Sequence, residues 1–536
     1  MQSSSKPNRK THPAWFRFLI IILLIGVFFR FFHLDKKNYW IDETYTALRF
    51  SGYTEAEMRP RFYDGRILNN EDMQKYKQIN SEKNVFDTVK GLALEDPQHP
   101  PIYYVLVRYW VQWFGNSVSA IRSLSALLSL LVFPCLYWLC IELFNSPNVA
   151  WVAMAIVAIS PFHVLYAQEA REYSLWTATI LLSSAVLLWA MRTKTKISWG
   201  TYAVTVALGL YTFIFTGLVA FGHSIYVIAT ERFKLTKTVK NYLIASIVGL
   251  LAFVPWILVV ITNLKRIQDT TSWSNETTTV LTLLVRSAGN LSRIFFDLGF
   301  DSSDSLSKTA FLIPVILILL VLVGYSIYFL VKTTPVRVWL FVLTLVGVTP
   351  LVLMIPDLIL GGRRSGSARY LIPSYLGIQI TVAYLLATKI TPISRKIKQQ
   401  KLWQLLTIVL VSCGILSCAV SSQAEEWWNK GTAQDPSIPK MVRIINQTDR
   451  PLLIVEDNML SVLWSFSYRL KPYVGLQLVF SPDNIPKIPE QFSNIFLYKP
   501  SEALRNKLEK ERDYVLQPIE SLGSSKQRLL QIDIKK

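Results

Sequence analysis

The sequence predicts an α-helical polytopic membrane protein of about 11 transmembrane helices with a small C-terminal α/β domain. Hydrophobic residues make up 51% of the 536 and charged residues only 17%. The apolar residues gather into runs long enough to cross a hydrocarbon core. Lys and Arg, which give a formal net charge of +20, cluster in short segments between those runs, where they set topology and meet lipid headgroups. No nucleic-acid motif accompanies the charge, which excludes that class of partner.

Apolar runs of spanning length place helices near residues 16–33, 119–143, 148–165, 173–191, 199–214, 216–230, 242–262, 310–331, 337–356, 373–389 and 403–421. The first follows a basic tail (Lys6, Arg9, Lys10) and lacks a small-residue cleavage site, so it reads as a retained span. The run Ile102 to Phe114 is too short and carries Arg108; its Tyr, Trp and Phe content suits a helix lying in the interface of the first outer loop. With the N-terminus inside, that exclusion puts Arg192/Lys194/Lys196, Arg232/Lys234/Lys237/Lys240, Lys332/Arg337 and Arg395/Lys396/Lys398/Lys401 on the cytoplasmic side. The extracytoplasmic segments are then Asp35 to Asn116, the stretch around Ala167 to Glu172, the turn near Thr212 to Thr216, Asn263 to Lys308, Asp357 to Ile372, and everything after Ser422.

The organisation expected is a basic cytoplasmic tail (1–15), a transmembrane domain (16–421) with an extracytoplasmic loop (35–116), and an extracytoplasmic C-terminal domain (422–536). In the last, Pro451 to Val455 and Asn494 to Tyr498 read as short buried strands, and Ala503 to Arg512 has a helical repeat. Cys135, Cys140, Cys413 and Cys418 sit inside apolar runs with no metal-ligand spacing.

Four constellations fall on the extracytoplasmic segments. Asp42-Glu43, directly after span one, supplies a general base, binds a cation, or forms the acidic start of a helix. In Gln98-His99-Pro100-Pro101 the prolines suit a helix start; His99 reads as a phosphate or metal contact, or as a solvated loop residue. Gln168-Glu169-Ala170-Arg171-Glu172-Tyr173 puts three charges between two membrane helices, where they must pair with one another or line a polar cavity. Arg363-Arg364-Ser365-Gly366-Ser367-Ala368-Arg369-Tyr370 is anomalously basic for a translocated loop. Its arginines ask for an anion, and phosphate matches a guanidinium bidentately; nonspecific headgroup binding is the alternative.

At these places the sequence resembles the GT-C superfamily of membrane glycosyltransferases, in the branch of the protein O-mannosyltransferases and the lipid A aminoarabinose transferase. Asp42-Glu43 looks like the family's acidic pair and His99-Pro100-Pro101 like its His-Pro-Pro motif. Arg122-Ser123-Leu124-Ser125-Ala126, Glu169-Ala170-Arg171-Glu172-Tyr173 and Arg369-Tyr370-Leu371-Ile372-Pro373 look like further landmarks, so the resemblance covers about residues 15 to 390. The aminoarabinose transferase has a lysine before its paired prolines where this chain has His99.

The resemblance implies inverting transfer of a sugar from a polyprenyl-phosphate donor to a hydroxyl on a lipid, protein or polysaccharide, at the extracytoplasmic face of the inner (plasma) membrane. It implies Asp42 as general base with Glu43 orienting acceptor or water, and Arg171, Arg369, Tyr370 and His99 at the lipid phosphate. The spacing admits a divalent metal ion on Glu169, Glu172 or His99 without demonstrating one. A transporter or flippase of a lipid-linked saccharide is the rival, although such proteins usually carry coupling charges at the midplane in repeated halves. A binding protein that keeps the fold without catalysis is a third reading.

Overall fold

All eleven apolar runs are helical in the computed structural model, which describes residues 13–62, 66–300, 304–390, 397–433, 435–456, 459–480, 490–511 and 514–534. Lys6, Arg9, Lys10, Arg395, Lys396 and Arg512, used above, lie outside the described residues. Among the described residues eight helices are long and apolar enough to cross a membrane: Ala14–Phe31, Val118–Phe144, Tyr173–Thr193, Lys237–Thr262, Leu312–Thr333, Val336–Leu360, Ala368–Ile390 and Ile397–Gln423. A bent pair, Pro147–Ala158 with Pro161–Ala167, turned by 63°, is long and apolar enough when its two helices are taken together. The remaining two runs form helices of 17 residues, Lys196–Thr212, and 15 residues, Thr216–Thr230. Ile102–Phe114 is a helix of 13 residues with Trp113 and Phe114 exposed and Tyr103, Tyr104 and Val107 buried. One exposed aromatic face and one packed face suit an interfacial helix.

The chain divides into two units: residues 1–34, 98–100 and 122–423, and residues 35–97, 101–121 and 424–536. In the first, the bend is the feature around which helices pack. Pro161 has no N–H to continue the ladder, so the carbonyls before it lose their helical partners. Arg30 replaces them, donating to Ala158 O at 2.5 Å and Val157 O at 3.1 Å. A Cβ on Gly26 would collide with Ala158 O, and one on Gly414 would lie 2.8 Å from Ile159 O. Glycine at both places lets two helix backbones close on the broken segment. Just beyond, the Gln168 amide donates to Phe29 O (2.7 Å) and Phe32 O (2.8 Å), tying the end of the bent pair to the end of the first span.

The second unit contains the five strands β1 (Pro451–Glu456), β2 (Gly475–Val479), β3 (Asn494–Tyr498), β4 (Tyr514–Pro518) and β5 (Leu529–Ile534), in the order β2-β1-β3-β5-β4. β1 pairs in parallel with β2 and β3, while β5 is antiparallel to β3 and β4. Strand side chains alternate faces, so Leu452, Ile454, Leu497 and Leu530 meet Leu504 and Leu508 of helix Glu502–Glu511 on one side. On the other, Leu453, Val455 and Phe496 pack with Ile438, Ile445, Leu463 and Phe466. Leu48, Tyr53, Met58, Phe62 and Met73 of the first loop belong to that same core. Leu68 and Leu476 exchange backbone hydrogen bonds of 2.8 and 2.7 Å at the β2 edge.

Arg49 anchors this loop. Its Nη1 meets Glu95 at 2.6 Å and its Nε meets Asp96 at 2.7 Å, while Glu95 also accepts the N–H groups of Glu55 (2.8 Å) and Ala56 (3.1 Å). Burial works to lower the Arg49 pKa, but the two carboxylates raise it above its ordinary value. Removing one member of such a buried network leaves unpaired charge. Arg49→Met is expected to destabilise the protein by about 3 kcal/mol, read as a lowered thermal unfolding midpoint in detergent; a midpoint equal to wild type would show the network to be dispensable.

Candidate active site

The first unit gathers His99, Arg171 and Glu172 into one contact. Residues 168–172 join helix Pro161–Ala167 to helix Tyr173–Thr193, and the charged side chains of Glu169, Arg171 and Glu172 are all buried. Charges cannot be left alone in such a place, and here they are paired. His99 Nδ1 lies 3.0 Å from Glu172 Oε1, Arg171 Nη2 lies 3.3 Å from the same oxygen, and Arg171 Nη2 lies 3.1 Å from His99 Nε2. Arg171 Nη2 also lies 3.3 Å from His99 Nδ1, so the guanidinium nitrogen sits against both ring nitrogens while Nδ1 faces the Glu172 carboxylate. Ser125 Oγ donates to Arg171 O at 3.3 Å, and Arg122 Nη1 donates to Leu34 O at 2.7 Å. The landmark residues 122–126 thus brace the charged loop and the end of span one.

Arg369 and Tyr370 join the same neighbourhood through aromatic faces. The Arg369 guanidinium carbon is 5.8 Å from the Tyr173 ring centroid and 5.6 Å from that of Tyr370, and the Arg171 carbon is 6.0 Å from Tyr173. Tyr370 stacks near Phe213 (6.2 Å) and meets Phe215 edge-on (4.9 Å); Phe213 also packs on Trp176 at 4.6 Å. Two guanidiniums thus lie within 6.0 Å of one tyrosine ring, and one of them is paired with Glu172.

The other two arginines of the 363–370 loop are spent on the protein. Arg363 pairs with Glu276 at 2.9 Å and donates to Trp273 O at 2.8 Å; Arg364 donates to Ser274 Oγ at 3.0 Å and to the Asn275 side chain. Asp357, which the sequence reading did not single out, holds the loop from below. Buried at the end of helix Val336–Leu360, it accepts both the Ser365 N–H and hydroxyl at 2.7 Å. An acidic residue inside an apolar run was the signal that could have found it.

Asp42 and Glu43 lie in the second unit, in the first turn of helix Ile41–Ser51. Glu43 is fully buried and accepts the Trp40 N–H at 3.4 Å, and Asp42 is half-buried. Glu43 therefore serves the helix start. As for a metal ion, among the described residues no group of three or more His, Cys, Asp or Glu side chains assembles. A cation on Glu172 would have to displace His99 and Arg171.

Residues 98–259 match the family model of the dolichyl-phosphate-mannose-protein mannosyltransferases. Among solved structures, the chain is similar to ArnT from Cupriavidus metallidurans bound to undecaprenyl phosphate, with a TM-score of 0.54 at 11% identity, covering 97% of this chain and 98% of that one. The apo state of ArnT matches with a TM-score of 0.54 at 12% identity, covering 97% of each chain. The archaeal oligosaccharyltransferase AglB from Archaeoglobus fulgidus, in complex with an inhibitory peptide and a dolichol-phosphate, gives 0.47 at 12% identity, covering 85% of this chain and 64% of that one. At these identities the structural likeness is one of fold. By sequence the chain matches no individually curated protein.

Burial pushes the Glu172 carboxyl up, but Arg171 and His99 outweigh it and hold it at about 2 against an ordinary 4.5. A carboxyl depressed by folding stabilises above its unfolded pKa and loses that contribution as pH falls through the folded one. Glu172 should therefore contribute fully above 4.5 and lose its contribution between 4.5 and about 2. Glu172→Gln is expected to flatten acid destabilisation in that window, measured as unfolding midpoint against pH. An unchanged slope would mean the pair carries no such linkage.

Proposed function

We propose that this chain, a membrane protein of the GT-C superfamily of glycosyltransferases, moves a sugar from a polyprenyl-phosphate donor to a hydroxyl acceptor with inversion. The observation that carries the reading is the convergence of Arg171 and Arg369 on Tyr173. A lipid-linked sugar leaves behind a phosphate anion, and transfer is favoured by fixed positive charge that needs no reorganisation as that anion develops. Glu172 and His99 hold Arg171, while Tyr173 and Tyr370 hold Arg369 by its flat face. Each guanidinium then meets phosphate as a planar fork. The undecaprenyl phosphate bound to ArnT is a ligand of this chemical kind.

Inversion asks for one displacement, with a carboxylate taking the proton of the attacking hydroxyl. Asp42 is the base we assign. It is half-buried on a helix whose start Glu43 fixes, so Glu43 acts through its neighbour. The positive-inside pattern supports an extracytoplasmic orientation for this chemistry, and we assign the tail after Ser422 to that side of the plasma membrane as well. The broken span is a feature that transporters share; here Arg30 at the break is committed to backbone carbonyls.

The direct test is to incubate purified protein with a panel of polyprenyl-phosphate sugars and follow loss of the lipid-linked donor; a flippase would move it without consuming it. With a confirmed donor and acceptor, Asp42→Asn should cost two or more orders of magnitude in turnover, roughly the scale of a lost general base, with donor binding intact. Arg369→Ala should weaken donor use more than Arg369→Lys, which keeps charge and loses the fork. Near-normal turnover in Asp42→Asn would move the base elsewhere, and wild-type donor kinetics in Arg369→Ala would leave that arginine a headgroup anchor. Sidedness is checked separately, by reporter fusions at the C-terminus: an extracytoplasmic signal is expected, and a cytoplasmic one would overturn the assigned orientation.

A further inference from the structure

Residues 36–40 lead into the helix that carries Asp42, and Asn38, Tyr39 and Trp40 belong to neither helix nor strand. Their backbone polar groups therefore need partners from elsewhere. Trp40 finds its partners in the helix start, and the C-terminal segment supplies three for residues 36–39. Arg469 Nη2 donates to Lys36 O at 2.6 Å, Asn38 N–H donates to Glu425 O at 2.8 Å, and Ser465 Oγ donates to Tyr39 O at 2.5 Å. Side chains reinforce the same strip: the Tyr39 ring lies 4.2 Å from that of Tyr468, and Lys430 Nζ sits 4.4 Å from the centroid of the Trp40 ring. Trp40 is 2% and Lys430 6% exposed, so this cation–π contact is desolvated and correspondingly strong.

The donors are themselves rigidly placed. Ser465 lies in helix Leu460–Ser467, whose Leu463 and Phe466 are fully buried in the core shared with β1 and β3. From this we infer that the C-terminal segment is a positioning element for transfer: Lys430, Ser465 and Arg469 fix residues 36–40 and so set where Asp42 stands. The inference rests on Asp42 being the base. Its physical content is that a reacting group displaced by about 1 Å can lose up to two orders of magnitude in rate without any loss of fold.

The test uses the full chain with Lys430→Gln and Ser465→Ala, with Lys430→Arg as the variant that keeps a cation over the indole. Backbone amide exchange of residues 36–44 is expected to accelerate in the first two while exchange in β1 and β3 stays at wild-type rates. Transfer should lose about tenfold in kcat with donor KM unchanged, and Lys430→Arg should restore both readouts. In an Asp42→Asn background Lys430→Gln should cost nothing further, because both act on one step. Unchanged exchange at 36–44 overturns the inference, as does accelerated exchange with full transfer activity when Asp42→Asn alone is inactive. Near-normal turnover in Asp42→Asn instead removes the base assignment, independently of how the tail variants behave.

Discussion

The first unit is organised by the unpaired carbonyls that a proline leaves inside a buried helix. Once Pro161 interrupts the ladder, Val157 O keeps a 3.4 Å turn bond from the Ser160 N–H, while Ala158 O and Ile159 O face the break, where hydrocarbon offers no donor. Arg30 answers two of them and Cys418 Sγ approaches the third at 3.4 Å. The glycines at 26 and 414 bring the backbones of the same two helices, those of Arg30 and Cys418, against the break. An arginine in a membrane span is costly unless it finds acceptors, and exposed carbonyls are costly unless they find donors; each solves the other's problem. The result fixes the direction of helix Pro161–Ala167, and therefore where Gln168 to Glu172 enter the protein.

From that point the charged groups sort by what holds them. Arg363 and Arg364 are committed to the segment 273–276, and Asp357 fixes Ser365, so the loop has a defined shape before any ligand arrives. Arg171 is tied to a carboxylate and an imidazole. Arg369 lies over the rings of Tyr173 and Tyr370, its guanidinium carbon 5.8 and 5.6 Å from their centroids.

Much of this was legible in the sequence because periodicity and length are local signals. The eleven runs, the interfacial helix Ile102–Phe114 and the strands at Pro451–Glu456 and Asn494–Tyr498 all announce themselves within a few residues. The charge between spans announced Arg171 and Glu172, though not that His99, 73 residues earlier, would share Glu172 with Arg171. What stayed hidden is contact between segments with no pattern in common. Arg30 meets a carbonyl 128 residues away and Ser465 meets one 426 residues away. Backbone acceptors leave no trace in composition, so a donor aimed at a carbonyl cannot be paired from sequence as two opposite charges can. Arg30 was nonetheless visible as an anomaly, an arginine inside an apolar run.

The same reasoning applies to the tail, whose sheet shares a core with residues of the first loop. A sheet of five short strands buries one face with helix Glu502–Glu511, but the opposite face needs more apolar surface than helices Ile438–Gln447 and Leu460–Ser467 provide. Leu48, Tyr53, Met58, Phe62 and Met73 complete it. Burial of that surface is the favourable term that offsets the entropy of bringing together segments more than 300 residues apart, roughly 1–2 kcal/mol for each residue ordered. The hydrophobic contact therefore comes first in energetic order, and the hydrogen bonds along residues 36–40 follow at little further entropic cost. An acidic helix built on such a shared core inherits the rigidity of the sheet, which an isolated loop of polar residues could not supply.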